Sequence, residues 1–312
     1  MTEAPLTPTT GELHRRYPIS QETQAAVAVS RHEVGSILIG KQLGLLVVKG
    51  SCALTSDSAT IRREGQDHYD MSQTEDGLYV VHRMPPWKPR TNPEDWHGEE
   101  TTNPLNAFST LAREAMYGSG VAIELRYPYH IERYGPLLTL GWIGSRAINE
   151  TEDMTTIAMM DRSLPLSVKN GLDGAIEPAL ARVQELSELR GPGAAPVVLL
   201  YRGGENAQDP ASWERQYRQA LEITGGKMMV DVAHGTEMAH HPDGNFRKSI
   251  EAQMLGLEHV IRIAEKGELP NAVMMEASDV ITTTDPHMPH SYAMGRIQYL
   301  NNLRRSMLST GA

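Results

Sequence analysis

The sequence predicts an α/β fold, a (β/α)8 barrel of the TIM-barrel class preceded by an N-terminal arm and helix. Three observations predict it. The chain has 312 residues and 40% hydrophobic content, long for one small domain and ordinary for one such barrel. Eight short runs rich in Val, Ile and Leu recur along it: LLVVK (45–49), LYVVHR (78–83), VAIEL (121–125), TLGWI (139–143), LPLSVK (164–169), PVVLLYR (196–202), KMMVDV (227–232) and NAVMME (271–276). Helical patterns separate them, and continuous apolar strands alternating with helices mark a parallel sheet covered on both faces. Eight such units close into a barrel. An open, doubly wound sheet is the competing fold, but no glycine-rich dinucleotide loop follows the first strand.

The remaining elements follow in order. Residues 1–42 are expected to form the arm and helix, and residues 43–312 the catalytic barrel. The stretch to about Tyr17 is rich in Pro and Thr and reads as extended. Between residues 20 and 42, Ala26, Val29, Val34, Ile37 and Leu38 recur at helical spacing and predict a helix. Between strands five and six, Ala179, Val183, Leu186 and Leu189 do the same. Gly191-Pro192-Gly193 ends that helix, and strand six follows directly.

Composition narrows the function classes. A net charge of −10 repels nucleic acid and anionic membranes, so neither is an expected partner. An anionic substrate must therefore be held by a local basic cluster. One cysteine precludes an internal disulfide framework and suits a reducing cytoplasm. No 18-residue apolar run and no basic, then apolar, N-terminal leader is present, so a cytoplasmic protein is expected.

The active site of such a barrel lies where the strands end. Read in order, the ends carry Gly50-Ser51-Cys52, Arg83 with Trp87-Lys88-Pro89-Arg90-Thr91, Glu124, Gly144-Ser145-Arg146, Lys169-Asn170-Gly171-Leu172-Asp173-Gly174, Arg202-Gly203-Gly204, Asp231 with His234, and Glu276. Arg83, Lys88, Arg146, Lys169 and Arg202 are cations. Any one of them alone most simply pairs with a carboxylate. Together at one mouth of an acidic protein they point to a polyanion such as a carboxylate plus a phosphate, which arginine forks match.

A second group is Cys52, His234 and Glu276. A thiolate, an imidazole and a carboxylate suit a divalent metal, and placement after strands one, seven and eight puts them side by side in a closed barrel. His240-His241 and the segment from Asp285 to His290 are a weaker candidate for a second metal site, being turn-like and expected to be solvated.

Taken together, Lys88-Pro89-Arg90-Thr91, Ile143-Gly144-Ser145-Arg146, Lys169-Asn170-Gly171-Leu172-Asp173-Gly174, Arg202-Gly203-Gly204 and Asp231-Val232-Ala233-His234 resemble the ordered motifs of the type I 3-deoxy-D-arabino-heptulosonate-7-phosphate (DAHP) synthases, over nearly the whole chain. The resemblance implies a transferase of aromatic amino acid biosynthesis in the shikimate pathway, condensing phosphoenolpyruvate with erythrose 4-phosphate. It implies that Arg83, Lys88, Arg146, Lys169 and Arg202, with Glu124 in the same substrate-binding set, hold phosphoenolpyruvate, and that Arg90 and Thr91 hold the aldehyde's phosphate. Cys52, His234, Glu276 and Asp285 are the implied ligands of a divalent ion (Mn2+, Fe2+, Co2+ or Zn2+), with Asp279 the alternative to Asp285. Catalytic roles fall to Lys88, Cys52 and His234, Lys88 as proton donor to the new alkoxide. A homodimer or homotetramer is expected.

The departures lie beside these groups. Gly50-Ser51-Cys52 stands where the family has Gly-Pro-Cys, and Leu54-Thr55-Ser56 lies where a His-Asp usually follows. Ala147-Ile148-Asn149-Glu150 replaces Thr-Glu-Ser-Gln, Ala233-His234-Gly235-Thr236 replaces Ser-His-Ala-Asn, and Glu276-Ala277-Ser278 replaces Glu-Ser-His. Neighbouring groups orient ligands, so a related aldolase acting on another aldehyde in specialised metabolism is the alternative. A non-catalytic barrel that binds a phosphometabolite is the alternative of another class. Many family members bind inhibitory aromatic amino acids on a β-hairpin inserted before strand six, together with the N-terminal arm. The single helix between Gly174 and Arg202 leaves no room for one, so insensitivity to these amino acids is expected.

Overall fold

The computed structural model describes residues 8–51, 54, 58–86, 104–118, 120–145, 150–204, 209–234, 250–279 and 288–309. Eight parallel strands close a barrel in sequence order: β1 (Leu45–Gly50), β2 (Leu78–Arg83), β3 (Gly120–Leu125), β4 (Leu140–Ile143), β5 (Leu166–Lys169), β6 (Val197–Tyr201), β7 (Met228–Asp231) and β8 (Ala272–Glu276). The register that shuts it pairs Gly50 with both Arg83 and Glu276. Each strand matches its apolar run to within two residues.

Alternation along the strands sorts the side chains into two layers. Leu46, Val48, Val81, Ala122, Leu140, Trp142, Val198, Leu200, Met229, Ala272 and Met274 fill the barrel interior. Leu45, Val47, Val80, Ile123, Val168, Leu199 and Val273 face the helices outside it. Those helices include α3 (Ser58–Thr74), α4 (Pro104–Met116), α5 (Pro128–Tyr134), α6 (Thr151–Met160), α7 (Glu177–Arg190), α8 (Pro210–Thr224), α9 (Ile250–Ala264) and α10 (His290–Ser309).

The N-terminal segment departs from expectation in two ways. The stretch read as extended contains a helix, α1 (Thr10–Arg16), because Thr9 and Glu12 form a reciprocal capping box. That device satisfies two orphan N–H groups and stabilises a short helix by about 1 kcal/mol. The next helix, α2 (Gln21–Leu38), is present as expected, but Val29 is exposed and the buried line runs through Thr23, Val27, Ser30, Val34, Ile37 and Leu38. Its last turn plugs the barrel floor, with Val34, Ile37 and Leu38 in the interior layer. Asn271 Nδ2 donates to the Leu38 carbonyl (3.1 Å), and Arg31 donates to the carbonyls of Leu138 (2.7 Å) and Gly135 (2.6 Å). The helix thus covers the floor, at the end of the barrel opposite the C-terminal mouth.

The helix α7 ends as predicted at Gly191, whose φ of +68° lets its N–H reach the Ser187 and Glu188 carbonyls. Its buried face is Ala179, Leu186 and Arg190, while Leu189 is exposed. Residues 191–196 join it to β6 with no further strand.

The outer layer carries one unexpected feature, a polar cluster walled in by β1, β2, α3, α4 and α10. Lys49 Nζ lies 3.2 Å from His68 Nε2 and 2.6 Å from His290 Nδ1, and His82 Nδ1 lies 3.2 Å from Glu114 Oε2. His290, expected in a solvated turn, is buried here at the start of α10. Burial pulls the Lys49 amine down to about 8, against the nearby carboxylates of Glu64, Asp279 and Asp67. Burial, then the charges of Lys49, His82 and His290, hold His68 well below the ordinary histidine range. Burial likewise depresses His130, helped by Arg133 and Arg126.

A prediction follows from the sign of these shifts. Below about pH 6.5 the unfolded chain protonates these imidazoles and the native state does not, so stability present above that pH is lost as pH falls. Each imidazole kept neutral contributes about 1.4 kcal/mol per pH unit. Urea unfolding at pH 7.5 and 5.5 is expected to show a drop of at least about 2 kcal/mol at the lower pH, and a flat profile contradicts the assignment.

Candidate active site

Continuing the inward alternation one step past the apolar interior gives a single ring at the mouth: Gly50, Arg83, Glu124, Gly144, Lys169, Arg202, Asp231 and Glu276. Six of the eight positions are charged, at the level where the strands stop pairing. The fold therefore brings together the expected residues Arg83, Glu124, Lys169, Arg202, His234 and Glu276. Cys52, Lys88, Arg90, Thr91, Arg146 and Asp285 lie outside the described residues, as do His240, His241 and His287.

Two buried ion pairs organise the ring. Arg83 Nη2 meets Glu276 Oε1 at 2.8 Å, with both side chains at most 4% exposed. The same guanidinium donates to the Ser51 carbonyl and lies over the Trp142 ring, 5.2 Å from its centroid. Across the mouth, Lys169 Nζ meets Asp231 Oδ2 at 2.5 Å. Part of the cation set is thus matched by carboxylates, as expected for single residues, but both pairs lie in one ring.

His234 joins the two pairs. Its Nδ1 lies 2.9 Å from Asp231 Oδ2 and its Nε2 lies 3.4 Å from Glu276 Oε1. Asp231 thus anchors one ring nitrogen of His234 while the other faces Glu276, and a ring fixed in this way is the usual preparation of an imidazole ligand. Burial alone raises the Asp231 carboxyl, but the charges of His234 and Lys169 and their hydrogen bonds hold it well below the usual carboxylate range. Burial pulls Lys169 down, and Arg202 adds to that while Asp231 opposes it. Burial raises Glu124 against the cations Lys169, Arg83 and Arg126.

His234 and Glu276 fit a divalent ion: an imidazole nitrogen with its partner nitrogen already anchored, beside a carboxylate. Among the described residues no three such groups come close enough to hold an ion. Asp279, the alternative fourth ligand, spends Oδ1 on the His290 N–H (3.0 Å) and Oδ2 on Arg63 (3.0 Å).

The glycine-rich turns serve close approach. A Cβ on Gly204 would lie 2.1 Å from the Gly174 nitrogen, and Gly174 itself has φ +86°. The turns after β5 and β6 therefore touch backbone to backbone. Buried Asn170 bridges them, accepting from the Arg202 N–H (2.8 Å) and donating to the Gly203 carbonyl (3.1 Å). Arg202 is held over the mouth, where Nη1 lies 3.4 Å from Ser145 Oγ. A Cβ on Gly144 would lie 1.9 Å from Glu124 Oε1, so the strand-four turn needs glycine to admit that carboxylate.

Fold and site together define a protein of the TIM-barrel class with three cations and three carboxylates around its C-terminal mouth. The comparisons narrow the class. The sequence matches the DAHP synthetase I family over residues 16–276, and the chain belongs to that family. It is 25% identical over 264 residues to the Tyr-sensitive phospho-2-dehydro-3-deoxyheptonate aldolase of Escherichia coli (strain K12), covering 75% of this chain and 73% of that protein. It is 24% identical over 263 residues to the tyrosine-inhibited phospho-2-dehydro-3-deoxyheptonate aldolase of Schizosaccharomyces pombe, covering 73% and 68%. Among solved structures, the phospho-2-dehydro-3-deoxyheptonate aldolase of Francisella tularensis SCHU S4 superposes with a TM-score of 0.77 at 16% identity, over 98% of each chain, a likeness of fold. No described helix is long and apolar enough to cross a membrane.

Proposed function

We propose that this chain catalyses the DAHP synthase reaction, joining C3 of phosphoenolpyruvate to the aldehyde carbon of erythrose 4-phosphate. A new C–C bond forms, the aldehyde oxygen takes a proton, water adds at C2, and the C2–O bond to phosphate breaks to leave a ketone and inorganic phosphate. The observation that carries the proposal is the charged ring at the mouth, in a chain of this family.

Arg83, Lys169 and Arg202, with Lys88 and Arg146, bind the carboxylate and phosphate of phosphoenolpyruvate. Fixing both ends presents C3 to the aldehyde, which removes orientational entropy from the barrier. Cations already fixed around the leaving phosphate stabilise its charge as the bond breaks. Lys88 delivers the proton to the new alkoxide. Arg90 and Thr91 hold the aldehyde's phosphate. Cys52, His234, Glu276 and Asp285 would hold the divalent ion on which this family generally depends, and a bound ion would supply Lewis-acid polarisation of the aldehyde.

The test is phosphate release from phosphoenolpyruvate with a panel of aldehydes, with and without chelator and added Mn2+. Rapid release with erythrose 4-phosphate is expected; release with a different aldehyde alone favours the related aldolase, a reading supported by the altered turns after β1 and β4. Arg90→Ala is expected to raise the aldehyde KM at least about tenfold, the scale of a lost charge-assisted contact, with a much smaller change for phosphoenolpyruvate. Equal effects on both argue for a non-phosphorylated cosubstrate.

Feedback insensitivity is expected as well. Allostery needs a second site whose ligand distinguishes two states, and the direct passage from α7 to β6 leaves no hairpin to build one wall of it. Phenylalanine, tyrosine and tryptophan at millimolar concentration are expected to leave the rate unchanged. Inhibition non-competitive with phosphoenolpyruvate counts against this.

A further inference from the structure

The layer between a barrel and its helices is ordinarily apolar, because both surfaces there are buried. In this chain the sector behind β1 and β2 holds Lys49, Glu64, His68, His82, Glu114 and His290, none more than 6% exposed. Burying charged groups such as Lys49 in this way is unfavourable before their partners are counted. Well-packed hydrophobic residues would make an equally firm wall, so the hydrogen bonds these groups make are the informative feature.

Glu64 makes the most directed of them. From α3, its Oε1 accepts from Ser278 Oγ (2.8 Å) and from the backbone N–H of Asp279 (2.6 Å). These residues stand two and three positions after Glu276. The same short segment is held at three further points. Ala277 N–H donates to the Gly50 carbonyl (2.9 Å), Met288 N–H to the Glu276 carbonyl (3.1 Å), and Ser278 N–H to the Met288 carbonyl (3.0 Å). Asp279 accepts from the first N–H of α10, at His290 (3.0 Å), and His290 Nδ1 closes the circuit on Lys49 of β1 (2.6 Å). Glu64 brings α3 into this circuit and ties the exit of β8 to the outer helix ring.

We propose that Glu64 is a positioning residue for the mouth: by gripping Ser278 and Asp279 it fixes the backbone that aims Glu276 at His234 and Arg83. It touches no reacting atom and acts through Glu276. Arg83 keeps two other supports, the Ser51 carbonyl and the Trp142 face, so loosening Glu276 affects turnover more than phosphoenolpyruvate binding. The grip needs an acceptor oxygen rather than a charge, so glutamine suffices at this position and leucine does not.

For its kinetic arm this inference rests on the reaction proposed above; its structural arm does not. Glu64→Leu and Glu64→Gln are compared with the unaltered chain by amide hydrogen exchange of the β8 exit, residues 276–279, and by the kcat and KM for phosphoenolpyruvate. In Glu64→Leu, exchange at Asp279 is expected to accelerate at least tenfold and kcat to fall at least tenfold, with KM within threefold. Glu64→Gln is expected to restore both. Unchanged exchange and kcat in Glu64→Leu overturn the proposal, as does equal impairment in both variants, which makes the charge rather than the grip the operative feature. Should Glu64→Leu not fold, Ser278→Ala removes one of the two bonds and is expected to raise exchange at Asp279 about threefold; no change there overturns the proposal equally. Absence of turnover in the unaltered chain defeats the proposed reaction and leaves the exchange result to decide the role of Glu64.

Discussion

Replacing His234 by alanine is expected to lower kcat by on the order of 10²–10³-fold, the scale of losing one fixed electrostatic contact to the transition state, while leaving the fold intact. The imidazole is partly exposed (19%) and its loss opens no apolar cavity. Asp231 keeps its ion pair with Lys169, so the buried charge is not stranded. What disappears is a group that touches both halves of the ring, through Nδ1 to Asp231 and Nε2 to Glu276. The variant is also expected to lose affinity for added Mn2+, measured by titration of metal-free protein. Asp231→Asn is expected to be milder, about 10–100-fold, because it disturbs the tautomer and orientation of His234 without removing it. Full activity in His234→Ala would remove the imidazole from the mechanism, and an equal loss in both variants would place the function in Asp231 instead.

Much of the fold was legible because parallel strands buried on both faces read as unbroken apolar runs. The ring at the mouth was legible for a related reason. Arg83, Lys169 and Asp231 follow such runs directly, where the chain leaves the core, and there a charged residue in an acidic protein invites an explanation. The rest was hidden where tertiary contacts outweigh local pattern. Helical spacing located α2 but not its buried face, since Val29 and Val27 are equally apolar and tertiary packing in the outer layer selects Val27. The Thr9-x-x-Glu12 capping box was a readable sign of α1, masked by the surrounding Pro and Thr. The polar cluster left a fainter trace. Lys49 and His82 interrupt apolar runs at outward positions, but their partners His68, His290 and Glu114 come from three separate helices that only the closed barrel brings together. Nothing local distinguishes a solvated histidine at position 290 from one beneath a lysine.

Lys169→Met is expected to be the most damaging single change to the mouth, in stability and in activity together. Lys169 is 6% exposed and Asp231 is fully buried, their charged atoms 2.5 Å apart. Removing the cation leaves a buried carboxylate held by His234 and the Ala233 N–H, and breaking such a pair from one side costs about 3–5 kcal/mol. The sign of the pH dependence changes with it. In the unaltered chain Asp231 sits below the usual carboxylate range, so its contribution is present at neutral pH and fades as pH falls below about 4, the ordinary Asp value. In Lys169→Met the burial that the native partners overcome is opposed without the Lys169 charge. The carboxyl rises, and the variant is expected to lose stability as pH increases toward neutrality. The double variant Lys169→Met/Asp231→Asn removes both charges and is expected to recover most of the lost stability, because a neutral pair in place of a buried ion pair is often no less stable. It is not expected to recover turnover, since Lys169 is assigned to phosphoenolpyruvate and Asp231 to the orientation of His234. Urea unfolding of the two variants at pH 7.5 separates the roles. A single-variant cost below about 1 kcal/mol, the range of an exposed pair, or a double variant no more stable than the single, would show that the Lys169–Asp231 pair does not carry the mouth's electrostatic balance.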